Sequence, residues 1–172
     1  IIEQGKVLGQ KYWVTVTNPP YMGGAGMSDK LACYLSKLFP RSKTDLYSTF
    51  IERCTYIIER NGYSAMITQH GWMFLSSFEK LRTKLEESAI ICMAHLGARA
   101  FDEISGEVVQ TTTFITRNSC LADYKGVYSR LLSATSESEK EKLYLSGKYQ
   151  YKSGRKYFDI IPGKPVAYWF NE

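Results

Sequence analysis

The hydrophobic and polar residues along this chain follow two alternating patterns, one typical of strands and one typical of helices. Runs rich in β-branched and aromatic residues predict strands at Tyr12–Thr17 and over residues 63–68, 89–95 and 108–116. Apolar residues at helical spacing predict helices over residues 28–38, over residues 46–61, and from Ser76 to near Glu87. This alternation predicts an α/β fold in which helices pack on a mostly parallel sheet.

Local signals place the ends of these helices. Ser28 or Asp29 is a suitable N-cap for the first helix, and Asn61-Gly62 is a typical stop for the second. Ser76 with Glu79 has the spacing of a capping box. Between the first strand and the first helix lie Met22-Gly23-Gly24-Ala25-Gly26, interpreted either as a mobile flap or as a plain flexible loop.

The tetrapeptide Asn18-Pro19-Pro20-Tyr21 directly follows the first predicted strand. Each proline fixes its own φ, lacks an N–H donor and disfavours helical geometry in the residue before it, so the strand must end here. The carbonyl groups of Asn18 and Pro19 are then free for a partner other than a neighbouring strand. Ligands of open α/β sheets bind at the carboxyl ends of strands, which favours a site over an ordinary turn.

An Asn-Pro-Pro-Tyr turn behind an apolar strand resembles the catalytic motif of the amino-methyltransferases that use S-adenosylmethionine, above all the N6-adenine DNA enzymes. The order of elements after the turn is similar too, including the segment His70–Leu75 before a helix and Phe101 before the run 108–116. Residues 18–23 and 101–111 look most like the methyltransferases of bacterial phage-exclusion (BREX) systems. The resemblance implies a partial Rossmann-like methyltransferase domain.

The same resemblance implies roles for individual residues. The Asn18 side-chain oxygen and the Pro19 carbonyl would accept the two hydrogens of adenine N6, held rigidly by Pro20. Tyr21 and Phe101 would stack on the two faces of a flipped base, although a core position for Phe101 is an equal alternative. His70 and His95 are interpreted as structural, because this chemistry needs no imidazole. No metal is expected.

The C-terminal third has a different composition. Residues 133–142 are polar and predict a solvated helix or loop. Four cations then interleave with aromatic residues, which suits phosphate contacts and base stacking. These nucleic-acid-binding candidates are Lys148, Lys152, Arg155 and Lys156. The alternative is a β-hairpin around Ser153-Gly154 with its lysines in water.

Composition narrows the possibilities further. The 172 residues are 44% hydrophobic, enough for one substantial core, and the formal net charge of +5 is compatible with a DNA partner without requiring one. Four widely spaced cysteines indicate reduced packing residues rather than a zinc site. No membrane-spanning run or secretory signal is found, so we expect a cytoplasmic protein without a membrane partner.

The chain departs from the methyltransferase pattern in its cofactor motifs. Such enzymes need a glycine-rich strand-to-helix turn and an acidic residue upstream of the Asn-Pro-Pro-Tyr strand, and only seventeen residues precede Asn18. We therefore expect residues 1–117 to be the C-terminal half of a catalytic domain that binds S-adenosylmethionine weakly or not at all alone. Residues 118–172 would lead towards a target-recognition region.

Three functions remain open at this point. The first is N6-adenine methylation of DNA in phage defence or restriction-modification, with other proteins of the same system as possible partners. The second is methylation of a protein glutamine or an RNA base by the same turn, and the long segment after Arg117 counts against it. The third is a non-catalytic DNA-binding or assembly module.

Overall fold

A computed structural model describes residues 1–101 and 109–170 of the chain. Its strands are β1 (Tyr12–Thr17), β2 (Ile58–Gln69), β3 (Ala89–Gly97), β4 (Thr111–Arg117), β5 (Lys125–Arg130) and β6 (Gln150–Gly154). Its α-helices are α1 (Ile2–Gly9), α2 (Asp29–Leu38), α3 (Leu46–Ile57), α4 (Glu79–Lys84), α5 (Glu137–Leu145) and α6 (Arg155–Asp159). Short 3₁₀ turns lie at Gly24–Gly26, His70–Met73, Ser76–Phe78 and Leu85–Glu87.

The six described strands form one mixed sheet in the order β1-β2-β4-β3-β5-β6. β1 is parallel to β2 and β3 is parallel to β5, whereas β4 lies antiparallel between β2 and β3, and β6 is antiparallel to β5. Four strands therefore run in one direction, and the predicted α/β fold is confirmed. The carboxyl ends of β1, β2, β3 and β5 share one edge of the sheet, called the carboxyl edge below.

The hydrophobic core is built from both halves of the sequence. Its buried side chains from the first half include Tyr47, Trp72 and Leu81, and Phe158 and Tyr168 come from the last part of the chain. β5 and β6 extend the same sheet. The division into residues 1–117 and 118–172 stays a prediction, as does the role of the second segment.

The Asn61-Gly62 pair was expected to end a helix, and this prediction is wrong. α3 ends at Ile57, and the pair lies inside β2, where Asn61 has a φ of 68°. A Cβ on Gly62 would lie 2.7 Å from the carbonyl oxygen of Trp13 in β1. Glycine is therefore needed for the close approach of two strands, at the point where the β1–β2 register shifts.

Of the two N-terminal caps predicted for α2 and α4, one is observed and the other is not. Ser28 caps α2 as predicted, its Oγ accepting a hydrogen bond from the Leu31 N–H at 3.4 Å. The predicted capping box at Ser76 is wrong, because Ser76 begins a 3₁₀ turn and α4 starts only at Glu79, without a side-chain cap. The tight 3₁₀ geometry, which short connectors often adopt, replaces the expected first helical turn.

The polar segment over residues 133–142 contains part of α5, yet it is not entirely solvated. Lys140 is buried, and its Nζ donates hydrogen bonds to the carbonyl oxygens of Leu96, Leu131 and Ala134 at 2.7–3.2 Å. This lysine ties α5 to the ends of β3 and β5. Sequence composition could not reveal it, because its partners are backbone groups.

The C-terminal strand pairs differently from the hairpin alternative. β6 continues to Gly154, which lies opposite Lys125 of β5, and α6 begins immediately at Arg155. Cys54 is buried, but Cys33 and Cys120 are exposed, so a packing role does not describe all four cysteines. Within the described residues, no helix has the length and apolar character needed to cross a membrane.

Candidate active site

The Asn18–Tyr21 turn lies at the carboxyl edge, immediately after β1. Asn18 and Pro20 are exposed, Pro19 is buried and Tyr21 is half-buried. Within the described part of the chain, the carbonyl oxygens of Asn18 and Pro19 accept no backbone hydrogen bond outside the strand ladders. The turn thus presents an amide side chain on a proline-fixed backbone, with carbonyl groups that no described backbone N–H occupies.

Asp45 fixes the backbone just beyond the turn. Its Oδ1 accepts hydrogen bonds from the N–H groups of Met22 at 3.1 Å and Tyr47 at 3.2 Å, and the second bond caps α3. The Leu46 N–H also donates to the Met22 carbonyl at 2.9 Å. The start of the glycine-rich loop is therefore anchored to a helix, a contact that the sequence analysis missed. The signal was an aspartate directly before a helical pattern.

Tyr21 rests edge-on against a fully buried ring. Its ring centroid lies 5.9 Å from that of Tyr47 with an interplanar angle of 81°, and Tyr47 in turn contacts Phe78. Burial raises the pKa of Tyr21, so its phenol stays neutral at physiological pH. The uncovered part of this ring is available for stacking against a planar group.

Two histidines at the carboxyl edge form a hydrogen-bonded chain with Tyr168. His70 Nδ1 lies 2.7 Å from His95 Nε2, and His95 Nδ1 lies 2.9 Å from the Tyr168 hydroxyl. Burial lowers the pKa of both imidazoles, that of His95 to about 4 with help from the charges of His70, Arg130 and Lys140. Both rings are therefore neutral at pH 7, in keeping with a structural interpretation. Their pairing was not predicted.

Phe101 is exposed and lies four residues after β3, whose last residue Gly97 is at the carboxyl edge. The run 108–116 is described from residue 109 onward, and β4 begins at Thr111. Residues 102–108 lie outside the described part of the chain. A stacking role for Phe101 stays a prediction.

Comparison with known proteins assigns this arrangement to a family. A model of the Eco57I restriction-modification methylase family matches residues 4–101, which include the Asn18–Tyr21 turn and Phe101. The chain belongs to this family.

Curated relatives of this Eco57I-family chain are considerably longer. Adenine-specific methyltransferase PglX of Lacticaseibacillus casei (strain Zhang) is 46% identical over 175 residues, covering 98% of this chain and 15% of the relative. Adenine-specific methyltransferase BrxX of Escherichia coli O9:H4 (strain HS) is 43% identical over 169 residues, covering 98% and 14%. The chain thus spans about one seventh of the length of these relatives.

Solved structures agree on the fold of this Eco57I-family member at low sequence identity. A chain from a study of complex assembly in a type I restriction-modification system matches with a TM-score of 0.67 at 14% identity, covering 97% of this chain and 38% of that one. A Listeria monocytogenes protein described as a class I S-adenosylmethionine-dependent methyltransferase matches with a TM-score of 0.55 at 16% identity, covering 81% and 42%. The fold is that of S-adenosylmethionine-dependent methyltransferases.

The described residues of the Eco57I-family chain do not by themselves fit the cofactor. β1 is an edge strand, and Trp13, Val14 and Val16 on it are more than half exposed. Helix α1 precedes β1, and neither a glycine-rich strand-to-helix turn nor an acidic residue at a strand end precedes the Asn18–Tyr21 turn. The described residues therefore show no cradle for S-adenosylmethionine, and the amine-binding role of the Asn18–Tyr21 turn stays a prediction.

The four predicted nucleic-acid-binding cations of this Eco57I-family chain do not form one cluster. Lys148 precedes β6 at the carboxyl edge, Lys152 lies in the middle of that edge strand, and Arg155 and Lys156 follow it at the opposite edge. Arg155 forms ion pairs with Glu86 at 3.6 Å and Asp159 at 3.3 Å, so part of its charge is neutralised. Lys148 alone of the four lies at the same edge as Asn18.

Proposed function

We propose that this chain provides the substrate-binding half of an enzyme that methylates N6 of adenine at specific sites in DNA. The observation that carries the proposal is the Asn18–Tyr21 turn at the carboxyl edge, with a half-buried ring and with carbonyl groups that accept no hydrogen bond from a described backbone N–H. Membership of the Eco57I family and similarity to adenine-specific methyltransferases PglX and BrxX support it. A neighbour solved as a DNA complex, DrdV, supports DNA as the partner.

The exocyclic nitrogen of adenine is a weak nucleophile, because its lone pair is delocalised into the ring. In our proposal the Asn18 side-chain oxygen and the Pro19 carbonyl each accept one N6 hydrogen. This favours a tetrahedral nitrogen whose lone pair is available to an incoming methyl group. Acceptors held in place before the reaction stabilise the positive charge that develops on nitrogen. Buried Pro19 and the Asp45 anchor on Met22 supply that rigidity.

The target base must leave the duplex before it can reach this turn. We propose that Tyr21 stacks on one face of the flipped adenine, supported from behind by Tyr47. Phe101 is proposed for the second face because it is exposed and follows β3, which ends at the carboxyl edge.

S-adenosylmethionine, when bound, supplies the methyl group. We propose that residues outside this chain hold most of that cofactor, and that they cover the exposed edge of β1. The chain alone is expected to bind the cofactor weakly or not at all. Its own contribution is to bind and orient the amine.

The test of this function is Asn18→Ala in the intact protein. We expect the rate of adenine methylation to fall by at least about 100-fold, the typical loss when one preorganised polar group is removed from an active site. Genomic adenine methylation, mapped in cells that carry each variant, measures the effect. Gln10→Ala is the matched control. Gln10 also has an exposed amide side chain, but it lies just before the N-terminal end of β1, whereas Asn18 follows the C-terminal end.

Three outcomes would contradict the proposal. Unchanged methylation in Asn18→Ala would leave the chain as a non-catalytic binding or assembly module. Methylated glutamine in cellular proteins, or methylated RNA, with unmodified DNA would point to the second function considered above.

We further propose that the methylation serves phage defence or restriction-modification, where it would mark the cell's own DNA. The resemblance to phage-exclusion methyltransferases and the matched family support this role. Partners would then be other proteins of the same system. Loss of protection against phage in the Asn18→Ala strain, with Gln10→Ala as the comparison, is the corresponding measurement.

A further inference from the structure

An open groove lies at the carboxyl edge beside the end of β5. Its volume is about 430 Å³, and it is lined by Arg130, Leu132, Ser133, Tyr149 and Tyr151. This volume is within the range of about 300–1,000 Å³ typical of small-molecule sites. None of these lining residues is acidic. We call it the Arg130 groove.

Two cation–aromatic pairs flank the Arg130 groove. The Arg130 guanidinium lies 5.4 Å from the centre of the Trp169 ring, and Lys148 Nζ lies 5.1 Å from the centre of the Tyr149 ring. Trp169 is 38% exposed and Tyr149 is 46% exposed. Among the described residues, no carboxylate forms an ion pair with Arg130 or Lys148. No described carboxylate therefore competes with an anion for these two cations.

The backbone at Tyr149 is held in an unfavourable conformation. Its φ is 59°, a region that bulky side chains rarely occupy, and the turn leading to it contains Gly147 with a φ of 67°. The Tyr149 carbonyl accepts a hydrogen bond from the Arg130 N–H at 3.0 Å. Such strain costs free energy and is concentrated at functional sites. Here it fixes an exposed tyrosine beside the groove.

The ring of Trp169 is held in place by its contacts with Tyr168 and Phe74, and Tyr168 is itself hydrogen-bonded to His95. Tyr168, which is fully buried, bonds to His95 and stacks on Tyr128 with ring centroids 5.0 Å apart and an interplanar angle of 3°. Trp169 lies edge-on to Tyr168 at 5.0 Å and contacts Phe74 at 5.6 Å. A rigid aromatic ring loses little entropy when it binds a flat partner.

From this geometry we propose that the Arg130 groove binds a nucleotide flanking the target adenine. The base stacks on Tyr149, and the phosphate contacts Lys148 and Arg130, whose guanidinium lies against Trp169. Aromatic rings combined with cations in a groove are the features that bind single-stranded nucleic acid. This inference rests on the proposed DNA substrate and adds a second contact site to it.

The distance of the Arg130 groove from Asn18 indicates that the nucleotide bound in the groove flanks the target adenine. β5 is separated from β1 by four strand spacings of about 4.8 Å each, so the groove lies roughly 19 Å from Asn18 along the edge. At a rise of about 3.4 Å per stacked nucleotide this corresponds to roughly six nucleotides, and to fewer in an unstacked strand. The target base and the groove nucleotide are therefore different residues of the DNA.

The test measures binding of a fluorescent oligothymidylate to the intact protein by anisotropy. We expect Tyr149→Ala and Arg130→Gln each to weaken binding about tenfold, the range for loss of one stacked base or one charged contact. Tyr149→Phe should restore the affinity, because it keeps the ring. Tyr144→Ala is the matched control, since Tyr144 on α5 is similarly exposed and lies outside the groove.

Wild-type affinity in Tyr149→Ala would overturn the stacking site, whatever Arg130→Gln does. Absence of oligothymidylate binding by the unmutated protein would overturn it as well. The readout is binding, so it is independent of the Asn18→Ala methylation test. In a methylating enzyme we also expect Tyr149→Ala to raise the KM for DNA and leave kcat unchanged, whereas a merely structural defect would lower kcat.

Discussion

Asp45 connects the candidate catalytic turn to the rest of the molecule. One carboxylate oxygen both caps α3 and holds the Met22 N–H, directly after the Asn18–Tyr21 turn. At the residue scale, the position of the proposed amine-binding groups therefore depends on a side chain that takes no part in the proposed chemistry. Tyr47, the second residue of α3, supports the Tyr21 ring from the same helix end.

A pair of cap variants separates these two roles of Asp45. Asp45→Ala should lower the free energy of unfolding by about 1 kcal/mol, the usual cost of losing an N-cap, and should also reduce adenine methylation. Ser136→Ala removes the cap of α5, where the serine accepts from the Glu139 N–H at 3.3 Å, far along the chain from the turn. Urea unfolding and DNA methylation of both variants give the comparison. Equal methylation in the two variants would contradict a positioning role for Asp45.

At the scale of elements, close strand approach is set by particular glycines. A Cβ on Gly126 of β5 would lie 2.4 Å from the Ile90 carbonyl oxygen in β3, so the backbones must separate if any side chain is added. This contact belongs to the parallel β3–β5 pair, which joins the C-terminal part of the chain to the sheet. The Arg130 groove lies at the far end of the same strand.

Gly126→Ala should therefore destabilise the protein by about 1–3 kcal/mol, the typical cost of overpacking. Gly5→Ala is the control, because Gly5 is inside α1 and a Cβ there meets no atom within 4 Å. That change should be neutral or stabilise by up to about 1 kcal/mol, since alanine favours helix. Urea midpoints of the two variants test the difference. A Gly126→Ala midpoint equal to that of the unmutated chain would show that β3 and β5 can separate without cost.

The sequence predicted elements whose signals are local. β1 was predicted with its observed bounds, and Ser28, which caps α2, was one of the two residues predicted for that cap. The end of α3 was missed because Asn61-Gly62 has the same local preference for positive φ in a helix stop and in a strand irregularity, and only the approach of β1 distinguishes them. Long-range pairing decided that case.

The candidate site, like the fold, could be predicted only where its residues are close in the sequence. Asn18 and Tyr21 could be found because their motif is contiguous in the sequence. The His70–His95–Tyr168 chain and the Arg130–Trp169 pair join residues 25 or more positions apart, and no spacing rule connects them. The four candidate nucleic-acid-binding cations were also chosen because they are close in the sequence, and the extended β6 strand separates them along its length. Their binding role stays a prediction.

At the scale of the whole molecule, the sheet has two different outer strands. β6 carries exposed polar residues such as Gln150 and Lys152, which discourage pairing with another sheet. β1 at the opposite side exposes Trp13, Val14 and Val16 beside an unpaired backbone edge. A long apolar edge of this kind is a template for adding further strands. In our proposal the cofactor-binding half of the enzyme occupies this position.

The isolated chain should therefore self-associate through β1 as its concentration rises. Val16→Lys should reduce this association, because a charged lysine on an edge strand opposes strand-to-strand pairing. Val7→Lys is the matched control, since Val7 on α1 is also more than half exposed but belongs to no strand edge. Sedimentation velocity over a concentration series measures the effect. If the unmutated chain is monomeric at all concentrations, β1 does not mediate self-association. Equal effects of the two lysines on self-association would exclude β1 in the same way. In the intact protein, Val16→Lys should lower the free energy of unfolding more than Val7→Lys, because only the β1 edge would then be covered by another part of the enzyme.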